Sequence, residues 1–318
     1  MSYIFDALQR SESGRSGIDL SALSAATGLL QVAEGQAIAE HGPPFPFLGV
    51  PPLAAVESPE AAEHSLNDNR LGPFGKFQSL RVLLPAQSRV VCLTGKESLA
   101  AEKFRFLGVR LRQLQQDRIL KKVLITSTIP QEGKSMVTAN LACTLARRTP
   151  QRTLLLEGDL RRPSLSQTFG LGKIPGISEW LQGERSPMAS IYYLEGPGFW
   201  ILPAGNSPRN PLEILQPGRL SALMDQLTAW FDWIVIDSPP LLPLADTTIW
   251  MRLVDGILLV TRPGITEKQQ LQRGLEVLEP KKLIGMLLNC STNPAHSDYY
   301  NHYRPPIPSL PDGGCSKD

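Results

Sequence analysis

The sequence predicts an α/β fold, a mostly parallel β-sheet with helices on both faces, preceded by a disordered N-terminal linker. Three observations predict it. Beyond about residue 88, short apolar runs alternate with segments of helical period, the pattern of strands and crossover helices. The later runs, WIVID (233–237), GILLVT (256–261) and LIGMLLN (283–289), are continuously apolar, as in strands covered on both faces. Residues 17–87, in contrast, are rich in Ala, Gly, Ser and Pro and show no sustained period.

Taken in order, residues 1–16 read as a short amphipathic helix with Ile4, Phe5 and Leu8 on one side. Residues 17–87 read as the linker, or as a small poorly patterned domain around Leu29, Leu30 and Phe45–Leu48. Residues 88–290 form the folded domain. SRVVCLTG (88–95) reads as a strand, and 97–116 as a helix with Phe104, Leu107, Leu111 and Leu114 at helical spacing. Strand 122–128, helix 133–147 and strand 153–157 follow. Asn210-Pro211 opens a helix to about 229, with Asn as N-cap and Pro at the first helical position. Helices near 246–253 and 266–279 separate the last strands, and residues 291–318 form a polar, Pro-rich tail.

Composition narrows the classes. Apolar residues make up 42% and charged residues 19%, as in soluble globular chains. A net charge of +2 gives no argument for nucleic acid. No run of eighteen apolar residues occurs, so no direct membrane span is expected. The four cysteines stand singly, without metal-ligand spacing, which points to a reducing compartment, the cytoplasm.

Chemistry concentrates at Thr128-Ile-Pro-Gln-Glu-Gly133-Lys134-Ser135, where a strand hands over to a helix. In that context successive backbone N–H groups and the helix N-terminus wrap phosphates, the arrangement of a P-loop NTPase. Gly133 permits close backbone approach, Lys134 reaches the β- and γ-phosphates, and the Ser135 hydroxyl suits Mg²⁺. Thr128 stands where the general motif has its first glycine. Asp237 ends the strand WIVID, the position from which a carboxylate holds Mg²⁺, or it caps the following turn. Glu157 and Asp159 end strand 153–157, as further ligand-side carboxylates or as a solvated strand end. Three acidic strand ends beside one phosphate loop gather at the carboxyl edge of a parallel sheet, where ligands bind. The cofactors expected are ATP and Mg²⁺, with Thr128, Gln131, Glu132, Gly133, Lys134, Ser135 and Met136 around the nucleotide, and Ser135, Asp237 and Glu157 as candidate metal ligands.

On TSTIPQEGKSMVTANLACTLA (126–146), LLLEGDLRRPSL (154–165) and IVIDSPPLLPLADT (234–247), the chain resembles the bacterial tyrosine kinases of capsule and exopolysaccharide export. These are relatives of the cell-division and plasmid-partition ATPases. LPAGNSPRNPLEIL (202–215), GMLLN (285–289) and the start MSYIFDAL add to the likeness, which spans roughly 88–304. The resemblance implies that Lys134 and Ser135 bind ATP·Mg, that Asp237 organises the metal, that Asp159 activates the acceptor hydroxyl, and that Asn289 contacts the adenine. It also implies a subunit contact through Glu102, Arg105 and a third arginine. That third position is Gly108 here, and Arg112 lies on the same helical face as a substitute. The family's first aspartate in the second motif is Glu157, and Gln131 replaces a glycine.

By the same likeness, Tyr299, Tyr300 and Tyr303 in the tail are expected autophosphorylation sites, modified in trans within a ring-like homo-oligomer. The implied partner is an inner-membrane polysaccharide copolymerase whose cytoplasmic segment activates the kinase, which makes the protein cytoplasmic and peripheral at that membrane. An assembly switch with little kinase activity is the alternative. A DNA-partition ATPase, for which Arg147, Arg148, Arg161 and Arg162 would speak, is a further one.

Overall fold

The computed structural model describes residues 77–85, 88–147, 151–242 and 245–291. The helix expected over 1–16, the linker up to residue 76, the tail from 292, its tyrosines and Arg148 lie outside the described residues.

Seventeen elements matter to the argument. In chain order they are β1 (Gln78–Arg81), α1 (Val91–Thr94), α2 (Leu99–Asp117), β2 (Lys122–Ser127), α3 (Lys134–Ala146), β3 (Thr153–Glu157), α4 (Leu165–Thr168) and α5 (Ile177–Gln182). There follow β4 (Tyr192–Glu195), β5 (Phe199–Leu202), α6 (Pro211–Ile214), α7 (Pro217–Trp230), β6 (Trp233–Asp237), α8 (Asp246–Leu253), β7 (Gly256–Thr261), α9 (Lys268–Val277) and β8 (Leu283–Leu288). The sheet runs β1-β4-β5-β3-β6-β2-β7-β8 and is parallel throughout except between β4 and β5.

The central strands are fully buried because helices cover both faces. Leu124, Leu154, Leu156, Ile234 and Ile236 pack toward α5, α7 and α8. Val123, Ile125 and Val235 point to the other face, against Leu111 of α2 and Val137, Leu141 and Leu145 of α3. α3 is sandwiched so completely that every residue from Val137 to Ala146 is buried. A helix enclosed in this way is apolar or hydrogen-bonded all round.

Four expectations need correction. Residues 88–95 form no strand: Val91–Thr94 is a single helical turn. Val90 and Cys92 pack on α3, where Asn140 Oδ1 accepts the Cys92 N–H at 3.1 Å. A short apolar run does not distinguish the two structures, and packing decided it. The linker does not reach residue 87, because Gln78–Arg81 pairs in parallel with Tyr192–Glu195. The helix from 210 breaks in two before Pro217, with Gln216 extended (φ −72°, ψ 123°) as the residue preceding a proline prefers. Asn210 stands at the N-cap of α6, but its amide donates to Glu213 Oε1 (2.7 Å) and caps no backbone group.

Candidate nucleotide site

The order β6-β2-β7 places the ends of three parallel strands side by side, and the loop between β2 and α3 lies over them. Gly133 precedes α3 with φ +90°, and a Cβ there would lie 2.1 Å from Asn289 Nδ2. Only glycine fits both the left-handed backbone and the approach. Gln131 is also left-handed (φ 68°) but carries a side chain, so the loop is held by its neighbours. The buried Glu132 provides that hold. Its Oε2 accepts the Ile129 N–H at 2.8 Å, and its Oε1 accepts the hydroxyl of Thr266, in the turn before α9. Asn289 Nδ2 donates to the Glu132 carbonyl at 2.8 Å, and the Asn289 N–H to Thr261 O at 2.8 Å. The adenine-contact residue expected at the end of β8 therefore braces the loop.

Lys134 begins α3 and folds back over the strand ends. Its Nζ lies 2.9 Å from Asp159 Oδ2 and 3.2 Å from Ser135 Oγ. Burial alone would lower its pKa, but Asp237, Asp159 and Glu157 together hold it above the ordinary lysine value. Asp159 Oδ1 accepts the Arg162 N–H at 3.0 Å, which fixes the carboxylate. Met136, next along, sets its sulfur 3.1 Å from Asn140 Nδ2. Thr128 is buried at the start of the loop.

Asp237 is buried at the end of β6. Oδ1 lies 3.3 Å from the Thr138 hydroxyl, whereas Oδ2 is buried with no hydrogen-bond partner among the described residues. Burial raises its pKa, against the pull of the Lys134 ammonium and the Ser135 hydroxyl. A buried carboxylate with one orphaned oxygen beside a serine hydroxyl fits Mg²⁺. That ion prefers one or two carboxylates plus substrate phosphates to an all-protein cage. Among the described residues no group of three or more His, Cys, Asp or Glu is placed to hold a metal.

Glu157 faces backbone donors. It is fully buried, and its Oε1 accepts the N–H groups of Ser164 (2.5 Å) and Leu165 (2.6 Å) while Oε2 accepts that of Ala204 (3.0 Å). Both oxygens accept backbone donors, as a buried carboxyl requires. Three of the roughly four acceptor sites of the carboxylate are thus occupied by backbone amides, which favours a structural use over the metal role expected of it.

The expected subunit-contact residues divide. Glu102 and Arg105 pair on the outer side of α2 (Nε to Oε2, 2.7 Å). Arg112 turns inward, and its guanidinium donates to the carbonyls of Thr144 (3.2 Å) and Leu145 (3.3 Å) at the end of α3. Gly108 is buried at the α2–α3 crossing. Arg161, considered above for nucleic acid, grips Asp246 with two bonds of 2.7 and 3.1 Å.

Sequence reading missed Thr138 and Thr266. Thr138 was detectable, since it follows Lys134 by one helical turn and so shares its face. Thr266 carries no local signal, being 134 residues from the glutamate it meets.

No family model matches the chain. Tyrosine-protein kinase YwqD of Bacillus subtilis is 33% identical over 215 residues, covering 67% of this chain and 90% of that protein. The succinoglycan biosynthesis transport protein ExoP of Rhizobium meliloti is 34% identical over 208 residues, 64% of this chain but only 26% of ExoP. The kinase domain of Escherichia coli tyrosine kinase ETK superposes with a TM-score of 0.60 at 26% identity, over 64% of this chain and 82% of that domain. A relative matched along nine-tenths of its length, an ETK-like fold and a phosphate loop with its three acidic strand ends agree: the chain belongs to the bacterial tyrosine kinases of capsule and exopolysaccharide biosynthesis.

Proposed function

We propose that this chain is an ATP-dependent protein-tyrosine autokinase that acts in polysaccharide polymerisation and export, with its own tail tyrosines Tyr299, Tyr300 and Tyr303 as acceptors in trans. The observation that carries the reading is the cluster of Lys134, Asp159 and the half-unsatisfied Asp237 beside the phosphate loop. The loop amides and Lys134 bind and orient the triphosphate. Ser135 and Asp237 are the residues that would hold Mg²⁺, which when bound neutralises charge on the β- and γ-phosphates. Asp159 is the carboxylate proposed to take the phenolic proton as the tyrosine oxygen bonds to the γ-phosphorus and ADP leaves.

The ExoP match supports the polysaccharide context, and the activating partner would be a membrane copolymerase with a cytoplasmic segment. No described helix is long and apolar enough to cross a membrane, so peripheral attachment through such a partner fits. Phosphorylation adds about −1.5 to −2 charges per tyrosine, which would loosen a homo-oligomer by repulsion. The assembly-switch alternative draws on Arg112 and Gly108, both committed to α3, which leaves Glu102 and Arg105 as the contact pair on α2.

The test is incubation with ATP and Mg²⁺, with and without the copolymerase segment, followed by phosphosite mapping. Phosphate on Tyr299, Tyr300 or Tyr303 in the wild type and none in Lys134→Ala is the expected result. ATP binding without any phosphotyrosine, even with the segment present, would refute the autokinase and leave the switch.

A further inference from the structure

The departure at Glu157 raises a question of its own: what does an extra methylene do at a position the second acidic motif usually gives to aspartate? Glu157 ends β3, and the chain from 158 to 163 must turn back before α4 begins at Leu165. That turn presents Asp159 to Lys134. At its start Gly158 is pinned, its N–H donating to the Asp237 carbonyl (2.7 Å) and its carbonyl accepting the Trp250 indole N–H (3.2 Å). In its middle Arg161 is held by Asp246. The far end closes on Glu157, through the amides of Ser164 and Leu165, and the same carboxylate reaches Ala204 after β5.

From this geometry we infer that Glu157 is a positioning residue: it closes the 158–165 turn, ties it to the 203–206 segment, and so sets Asp159, while the cation is left to Ser135 and Asp237. A carboxylate one methylene shorter spans less of this gap, and three amide donors buried together need an acceptor. Read this way, the glutamate is matched to the turn it closes and is no lesion in the site. The inference rests on the kinase reading for the role of Asp159, but the position of the turn is independent of it.

The experiment compares full-length wild type, Glu157→Asp and Glu157→Gln by three measurements: Mn²⁺ binding by calorimetry with ADP present, hydrogen exchange of the backbone, and autophosphorylation kinetics. If Glu157 positions the turn, Glu157→Asp speeds exchange in 158–165 and 203–206 but not in α3. It also lowers kcat by about tenfold or more, because small displacements of a catalytic group are costly, while Mn²⁺ affinity and KM for ATP stay within about twofold. Glu157→Gln keeps the length, and it too must retain Mn²⁺ affinity. This variant decides the matter if the aspartate fails to fold. A loss of Mn²⁺ affinity of about tenfold or more in either folded variant, on the scale of losing a metal-site interaction, would overturn the inference. So would a Glu157→Asp protein as active as wild type with unchanged exchange. Should wild type itself transfer no phosphate, the kinase reading fails, and exchange with Mn²⁺ binding still decides the role of Glu157.

Discussion

Asp237 has a carboxyl with one oxygen on Thr138 and the other without a partner, in a position with no access to water. Burial lifts its pKa above the ordinary 3.8, so the folded protein holds this proton more tightly than the unfolded chain. Its contribution to stability is therefore full at low pH and is lost as pH rises through the folded value. Glu157, also raised by burial against its amide donors, acts in the same sense. Lys134, raised above 10.5, loses its contribution only at still higher pH. Without nucleotide, wild-type stability is expected to fall as pH rises above the ordinary carboxylate range, and Asp237→Asn to flatten part of that slope. Urea unfolding at several pH values measures it, and identical slopes would contradict the argument. With ATP and Mg²⁺ the same variant is expected to lose phosphotransfer by about a hundredfold or more.

At the scale of elements, the close crossing of α2 and α3 sets the P-loop helix in place. Alanine is the better helix former by about 1 kcal/mol over glycine. A Cβ at Gly108, however, would lie 2.9 Å from Thr144 Cγ2. Thr144 cannot swing away freely, since its hydroxyl bonds to the Asn140 carbonyl (2.8 Å) and lies 3.2 Å from Cys92 Sγ. Overlap outweighs propensity, and Gly108→Ala is expected to destabilise by about 1 kcal/mol in urea unfolding. A stabilised variant would show that the helices separate easily. This crossing also explains which elements the sequence disclosed. The strands β2, β3, β6 and β7 and the helix α3 were legible because each is a contiguous apolar run or follows the loop motif. α1 was not, because Val90 and Cys92 take their partners from α3, about 50 residues away. β4 and β5 escaped for another reason. Each is only four residues long, and they meet as a hairpin whose left-handed Gly196 and Gly198 flank its turn.

Over the whole molecule, ligand binding is expected to report the site independently of any kinase activity. A ligand that binds only the folded state at about one hundred times its Kd stabilises by about 2.7 kcal/mol, a rise in Tm of about 5–10 °C for a domain of this size. Mg²⁺·ADP is expected to give such a rise, and Lys134→Ala to remove most of it. A rise of equal size in both proteins would place the nucleotide elsewhere. Glu132 joins the loop to Thr266 before α9 and to Asn289 at the end of β8.

What the sequence by itself determined is local: the phosphate loop, written in consecutive residues with Gly133, Lys134 and Ser135 in fixed order, and the carboxylates at strand ends. Backbone amides around an anion need only a short segment, so a short segment suffices to reveal them. Tertiary structure decided which acidic residues remain free to act. Glu157 and Asp237 both end apolar strands, yet one meets three amide donors, two at the far end of the turn that follows it and one at Ala204 after β5, and the other keeps a bare oxygen. A buried carboxylate is defined by the donors packed against it, and those donors come from parts of the chain that only folding brings together.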